Sequence, residues 1–267
     1  MRKIFIALII GMLSNAIAMA ASGWSYADNQ VFSEGYIDLD NMGALSLTQY
    51  PVGSPGREMI FETSYARLYN LSELTDSRAA GAVTIGPLVL GSGFSFFGDS
   101  DYFGQWGISL FGLYRFRDIQ LGTSIACDRI SFGGGYESLS KTTINGGLSW
   151  RHKQIRIFGT VRNINEPRYY TGGVREPLES EMGVSFKSSG LLDNQARLLF
   201  IKYRKPSALL AQGIWLADYL QVNWSFVLRP ARLGVGLKIM QKHFGFGYTF
   251  SHHPVLGETH RVSLMVF

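Results

Sequence analysis

The sequence predicts an all-β protein: a transmembrane antiparallel β-barrel of about 14 strands, with 12 as the alternative, behind a short N-terminal segment. Three observations predict it. The N-terminus reads as an export signal. The rest of the chain alternates between apolar and polar residues with a period of two. The composition is rich in glycine and aromatics and poor in charge, with 31 Gly, 8 Pro, 13% aromatic and 17% charged residues in 267. Low charge with many aromatics excludes an intrinsically disordered chain. The glycines follow no period of three, which excludes collagen. The single Cys127 excludes a disulfide framework or a cysteine-rich metal site.

Residues 1–20 are expected to be a signal peptide. Arg2 and Lys3 form a positive start, Ile4 to Leu13 an apolar core, and Ala16-Ile17-Ala18 and Ala18-Met19-Ala20 are small-residue cleavage patterns. The apolar core is too short for a membrane-spanning helix, which needs about 20 residues. Its removal lowers the net charge from +5 to +3. No basic run interleaved with aromatics is present, so nucleic acid is not an expected partner. Residues 21–56 contain Gly35, Gly43, Gly53, Pro51 and Pro55 and read as a periplasmic or lumenal segment ahead of a barrel spanning 57–267.

The alternation then runs to the end of the chain. Leu220, Val222, Trp224, Phe226 and Leu228 share one parity, and Gln221, Asn223 and Ser225 the other. Phe244, Phe246, Tyr248 and Phe250 alternate with Gly245, Gly247, Thr249 and Ser251. Leu233, Val235, Leu237 and Ile239 alternate with Gly234, Gly236 and Lys238. Trp106, Ile108, Leu110, Tyr114 and Phe116 lie on one face, and Ile119, Leu121, Thr123, Ile125 and Cys127 oppose Gln120, Gly122, Ser124, Ala126 and Asp128. Ile155, Ile157 and Val161 oppose Arg156, Thr160 and Arg162. Successive strand side chains point to opposite faces, so every segment has one apolar face. A soluble sandwich would bury that face between sheets. A membrane barrel would turn it to lipid. Segments of about ten residues suit tilted membrane strands. The other face reads as glycine and small residues rather than Lys and Glu, as a crowded interior requires. Aromatics at segment ends (Tyr102, Phe103, Trp106, Tyr114, Phe116, Trp150) suit interfacial girdles.

Strands are expected at 57–68, 77–86, 88–97, 104–116, 118–128, 141–150, 154–163, 179–188, 195–205, 219–228, 232–240, 243–251 and 258–267. Thirteen is odd, whereas bacterial single-chain barrels have even numbers. It would also put the longest loop, 164–178, at the short-turn end. A fourteenth strand at 208–216, Ser-Ala-Leu-Leu-Ala-Gln-Gly-Ile-Trp, repairs both faults. The terminal Phe267 suits recognition by the barrel assembly machinery. Its parity is opposite to Val262, Leu264 and Val266, and a bulge would restore the phase.

The stretch from Phe244 to Phe267 holds an aromatic strand, a loop with Leu256-Gly257, then Thr259-His-Arg-Val-Ser-Leu264 and the terminal Phe. It resembles the end of the PorV/PorQ family, outer-membrane barrels related to the long-chain fatty-acid transporter (FadL) superfamily. Asn163-Ile-Asn-Glu-Pro167 resembles that family's loop after a mid-barrel strand, and Tyr65 to Leu74 its first hairpin. The specific part is the last 25 residues or so. The family's Asn-Pro-Ala type motif before the first strand is absent; the chain reads Asp38-Leu-Asp-Asn-Met-Gly-Ala44 instead. The resemblance implies an accessory or shuttle component of protein secretion or surface attachment, with outer-membrane lipid and secretion-system proteins as partners. The superfamily implies the alternative, a channel for hydrophobic small molecules.

Chemistry-bearing residues are sparse. Ser251, His252, His253, His260 and Glu258 fall near one loop. They could form the Ser/His/acid set of a lipid A or phospholipid-modifying enzyme, or simply follow the family's loop pattern. No Gly-x-Ser-x-Gly accompanies them, and no third or fourth ligand is fixed for a metal. Gly133-Gly-Gly135 lacks the Lys and helix of a phosphate loop and reads as a hairpin tip. Cys127 has the parity of a lipid-facing small hydrophobe. No catalytic residue, metal site or cofactor is therefore assigned. The one interior clue is that Phe111, Leu113 and Phe158 sit on the polar parity of their strands. They are candidate lumen residues, either lining a route for hydrophobic molecules or packing against residues 21–56.

Overall fold

The period-two stretches form fourteen antiparallel strands that close on themselves. The structure is a computed structural model that describes residues 36, 39, 42–68, 71, 74–99, 103–132, 138–170, 173, 175–188, 191–229, 231–253 and 257–267. The expected signal peptide, the Gly133–Gly135 tip, Tyr102 and the side chain of His253 lie outside this description. The strands are β1 Met59–Arg67, β2 Thr75–Ile85, β3 Leu88–Asp99, β4 Phe103–Phe116, β5 Ile119–Phe132, β6 Leu139–His152, β7 Ile155–Arg162, β8 Glu179–Lys187, β9 Leu192–Ile201, β10 Ser207–Ala217, β11 Leu220–Leu228, β12 Ala231–Met240, β13 Phe244–His253 and β14 Gly257–Val266. Each pairs with its sequence neighbour, and β1 pairs with β14. The strand expected at 208–216 is β10, in register with both β9 and β11.

The parity decides which way each side chain faces. β1 alternates exposed and buried without a break, and β12 nearly so. Leu110, Leu121, Leu148, Met182 and Leu264 are more than half exposed on the outer wall, where a membrane would cover them. Tyr114, Phe116 and Trp150 are exposed near strand ends, as a girdle requires. Cys127 is exposed on the same wall.

Two expectations need correction. β9 stops at Ile201 rather than 205, because Tyr203 adopts a left-handed backbone (φ 69°) that an extended strand cannot contain. No bulge rephases the C-terminus. β14 runs in unbroken register against β1 and β13. Phe267 therefore keeps the inward parity and packs against the lumen core, with the Arg57 guanidinium 5.0 Å from its ring centre.

The connections alternate in length around the rim. One end carries the turns 86–87, 117–118, 153–154 and 218–219; the other carries the longest, 163–178. Both the start of β1 and Phe267 lie at the short-turn end. An arginine placed at Leu110, midway along β4, should lower folding stability by about 2–4 kcal/mol in lipid. Denaturant titration in liposomes measures this; an unchanged midpoint would mean that the outer face does not meet lipid.

Candidate functional site

The lumen carries buried polar and charged residues, and residues of the N-terminal segment enter it. Tyr36, Leu39, Met42, Ala44, Leu47, Tyr50 and Val52 share one buried apolar cluster with inward residues of nine strands. The chain doubles back there: the Met42 N–H donates to Ser54 O (2.6 Å) and the Ser54 N–H to Leu39 O (3.0 Å). Between them lies one short helix, α1 (Ala44–Gln49), with Gly43 at its N-cap and no side-chain cap of its own. The wall supplies the missing acceptor. Glu62 of β1 accepts the Leu45 N–H at 3.1 Å, so a wall side chain caps the helix.

This plug is pinned around the circumference. Tyr36 donates to Asp193 of β9 at 2.5 Å. Arg156 of β7 donates to Leu39 O. Ser149 of β6 donates to Val52 O at 2.7 Å. Tyr50 donates to Glu181 of β8 at 3.2 Å and lies 4.9 Å from the Arg162 guanidinium. Two wall glycines allow the close approach. A Cβ on Gly122 would run into the Pro51 backbone, and one on Gly147 into Val52.

Phe111, Leu113 and Phe158 are all inward and almost wholly buried. Each lies directly across from a glycine on the next strand: Phe111 opposite Gly91, Leu113 opposite Gly122, Phe158 opposite Gly183. A Cβ on any of those glycines would strike the larger partner. The side chains therefore lie flat along the wall and leave the centre to the plug, whose apolar cluster they join.

The inner face is not the small-residue surface that the sequence suggested. Buried on it are Arg78, Lys141, Arg156, Arg162, Arg197, Arg232, Lys238 and Arg261, with Glu62, Asp76, Glu179, Glu181 and Asp193. Opposite signs meet across some of the strands. Glu181 of β8 accepts from Arg197 of β9 at 3.0 Å and lies 3.5 Å from Arg162 of β7. Asp76 of β2 is held between Arg78 (3.0 Å) and Arg261 of β14 (2.6 Å). The signal was present, since these residues have inward parity, but ion pairs across strands appear only once register is known.

Described residues of the long connection 163–178 reach the inner face. Glu176 is buried and pairs with Lys141 of β6, whose ammonium also lies 4.8 Å from the Tyr169 ring. Asn163 donates to Pro177 O at 3.0 Å. Asn165 extends the edge of β6 past the end of β7, donating to Thr142 O (2.7 Å) and accepting from the Ile144 N–H (3.1 Å). Between plug and loop remains a cavity of about 70 Å3, bordered by Thr48, Arg78, Asp128, Asn145, Arg162 and Glu179. None of Phe111, Leu113 and Phe158 borders it.

The histidine cluster is split by the wall. Ser251 is buried with inward parity, whereas His252 is exposed and His260 half-exposed on the outer face. His260 shares a 2.7 Å hydrogen bond with Tyr248 and lies 3.9 Å from Glu258. Ser251 and these histidines therefore cannot form a proton relay. Among the described residues no group of three His, Cys, Asp or Glu is placed to hold a metal ion.

No protein-family model and no curated protein matches the chain. Solved structures do. The Pseudomonas putida toluene transporter TodX superposes with a TM-score of 0.61 at 8% identity, over 85% of this chain and 92% of that one. The Acinetobacter baumannii outer membrane protein Omp33 gives 0.52 at 8% identity, over 78% and 97%. At such identities the likeness is one of fold: the chain has the architecture of Gram-negative outer-membrane barrels.

Replacing Glu181 by leucine removes the carboxylate that Arg162 and Arg197 share and should cost about 3–5 kcal/mol. Unfolding in detergent micelles reads this; a loss under 1 kcal/mol would mean that the network is solvated.

Proposed function

We propose that the protein is an outer-membrane barrel, closed to permeation at rest, that serves protein secretion or cell-surface attachment as an accessory or shuttle component, as its resemblance to PorV/PorQ implies. On this reading residues 1–20 direct export, the short-turn end faces the periplasm and the long-loop end the exterior.

The filling of the lumen by residues 42–56 and by buried ion pairs carries the reading. A porin needs an open aqueous path, and plug, ion pairs and loop 163–178 occupy it. A hydrocarbon carrier needs an apolar chamber; a site for a benzene-sized molecule is about 150 Å3 and lined by aliphatic and aromatic groups. The cavity here is about 70 Å3, and Arg78, Asp128, Arg162 and Glu179 border it beside Leu45, Phe94, Ile108 and Ala126. A barrel that passes nothing through its centre acts through its loops and outer wall.

One observation favours a second reading, a channel for hydrophobic compounds. Phe111, Leu113 and Phe158, with Leu209, Trp215 and Val227, would line an apolar passage if residues 36–56 withdrew. The fold is also shared with a protein described as a toluene transporter.

Two measurements separate these readings. Deletion of the gene should deplete a defined set of secreted or surface-attached proteins; an unchanged secreted proteome with lost uptake of an aromatic hydrocarbon would favour the channel. In planar bilayers the purified protein should be silent. Gly122→Val, which drives a side chain into the Pro51 backbone, should produce discrete conductance steps, while the same steps from unaltered protein would overturn the closed state.

A further inference from the structure

A cleft lies between two loops of the long-loop rim. It encloses about 350 Å3 and is lined by Glu166, Arg175, Glu176, Lys202, Tyr203 and Arg204. That volume falls in the range of small-molecule sites, roughly 300–1,000 Å3. Its walls are tied together. Lys202 donates to Glu166 at 2.6 Å, the Lys202 N–H donates to Leu178 O at 3.0 Å, and the Glu176 N–H donates to Pro167 O at 2.9 Å. The hydrogen bond from Lys202 holds the Glu166 carboxyl below its usual range, so it stays an acceptor.

Charge and shape point to one ligand chemistry. The loops 163–178 and 202–206 carry five basic residues, Arg168, Arg175, Lys202, Arg204 and Lys205, against Glu166 and Glu176. Glu176 is already committed to Lys141. Arg175 is well exposed and meets Glu166 only at 3.8 Å.

Tyr203 is the telling residue. It is 90% exposed, and its backbone is left-handed (φ 69°) at the third position of a turn closed by the Arg204 N–H to Ile201 O (2.9 Å). Glycine suits that position, and a large aromatic there is strained. Its ring lies 5.3 Å from the Lys202 ammonium, so the aromatic face already stands beside a cation. A flat aromatic face beside fixed cations and a carboxylate acceptor provides what a sugar bearing an anionic group requires: a platform for the ring, an acceptor for its hydroxyls and guanidinium donors for the anion.

We propose that this cleft binds a phosphorylated sugar. The ligand class rests on the cleft's own residues. The orientation under Proposed function adds a source, since the cleft would then lie at the outer leaflet, where a phosphorylated glycolipid headgroup presents this chemistry.

The test uses the full-length protein in phospholipid nanodiscs, titrated calorimetrically with N-acetylglucosamine 1-phosphate, N-acetylglucosamine and inorganic phosphate. The sugar phosphate should bind about tenfold or more tighter than either fragment. Arg175→Gln should weaken it about tenfold. Tyr203→Gly relieves the backbone strain, so the barrel should keep its heat-resistant gel mobility while the preference for sugar phosphate over phosphate disappears. Equal affinity for phosphate and sugar phosphate, an unchanged preference in Tyr203→Gly, or no binding of any probe would overturn the proposal. Competition by nanodiscs containing a bisphosphorylated diglucosamine glycolipid assigns the ligand to the membrane, and binding of the soluble probe without such competition assigns it to a free sugar phosphate; either upholds the site. Bilayer silence and the secreted proteome are separate readouts, so failure here leaves the closed-barrel reading standing, and the converse.

Discussion

Seven residue pairs, from Phe61 opposite Val266 to Arg67 opposite His260, join the first strand to the last. An open sheet in hydrocarbon would leave two edges of unpaired N–H and C=O groups, each costing several kcal/mol. The β1–β14 ladder removes both edges. It also divides the chain's side chains into an outer and an inner set. The inner set faces a space of fixed circumference, and the plug, the ion pairs and the glycine positions follow from the need to fill that space.

The filling is of two kinds. One part is apolar: α1 and its flanking residues share a cluster with Phe111, Leu113, Phe158 and Trp215. The other part is ionic. Buried charges are unfavourable alone, and here Arg162, Glu181 and Arg197 on the adjacent strands β7, β8 and β9 offset one another. Tyr50 joins the two regions, packed in the apolar cluster and donating to Glu181. A segment anchored in both would not leave by thermal motion in a loop; its release would require the ion pairs to rearrange together.

The exterior separates the same way. The apolar wall accounts for most exposed aromatics and aliphatics, while the rim bears the polar and strained features. Tyr203 and the fixed pair Lys202–Glu166 belong to the rim, as do His260 and its Tyr248 partner. Functional chemistry concentrates where the closed wall ends, because loops there are free of the alternation that membrane strands impose.

The sequence by itself determined the wall. Period two fixed which residues face lipid, from Leu110 to Val266, and even strand number required the fourteenth strand at β10. It placed Phe111, Leu113 and Phe158 on the inner parity. These are local properties, carried by residues two apart. Only the tertiary structure decided what the lumen holds. Glu62 capping α1, Asp76 between Arg78 and Arg261, and Lys141 gripping Glu176 join residues distant in sequence. Such pairs depend on strand register and on the path of the N-terminal segment, neither of which leaves a periodic trace. The phase of Phe267 was settled there too. Its parity was legible, but only the lumen core and Arg57 supply the reason an aromatic residue turns inward.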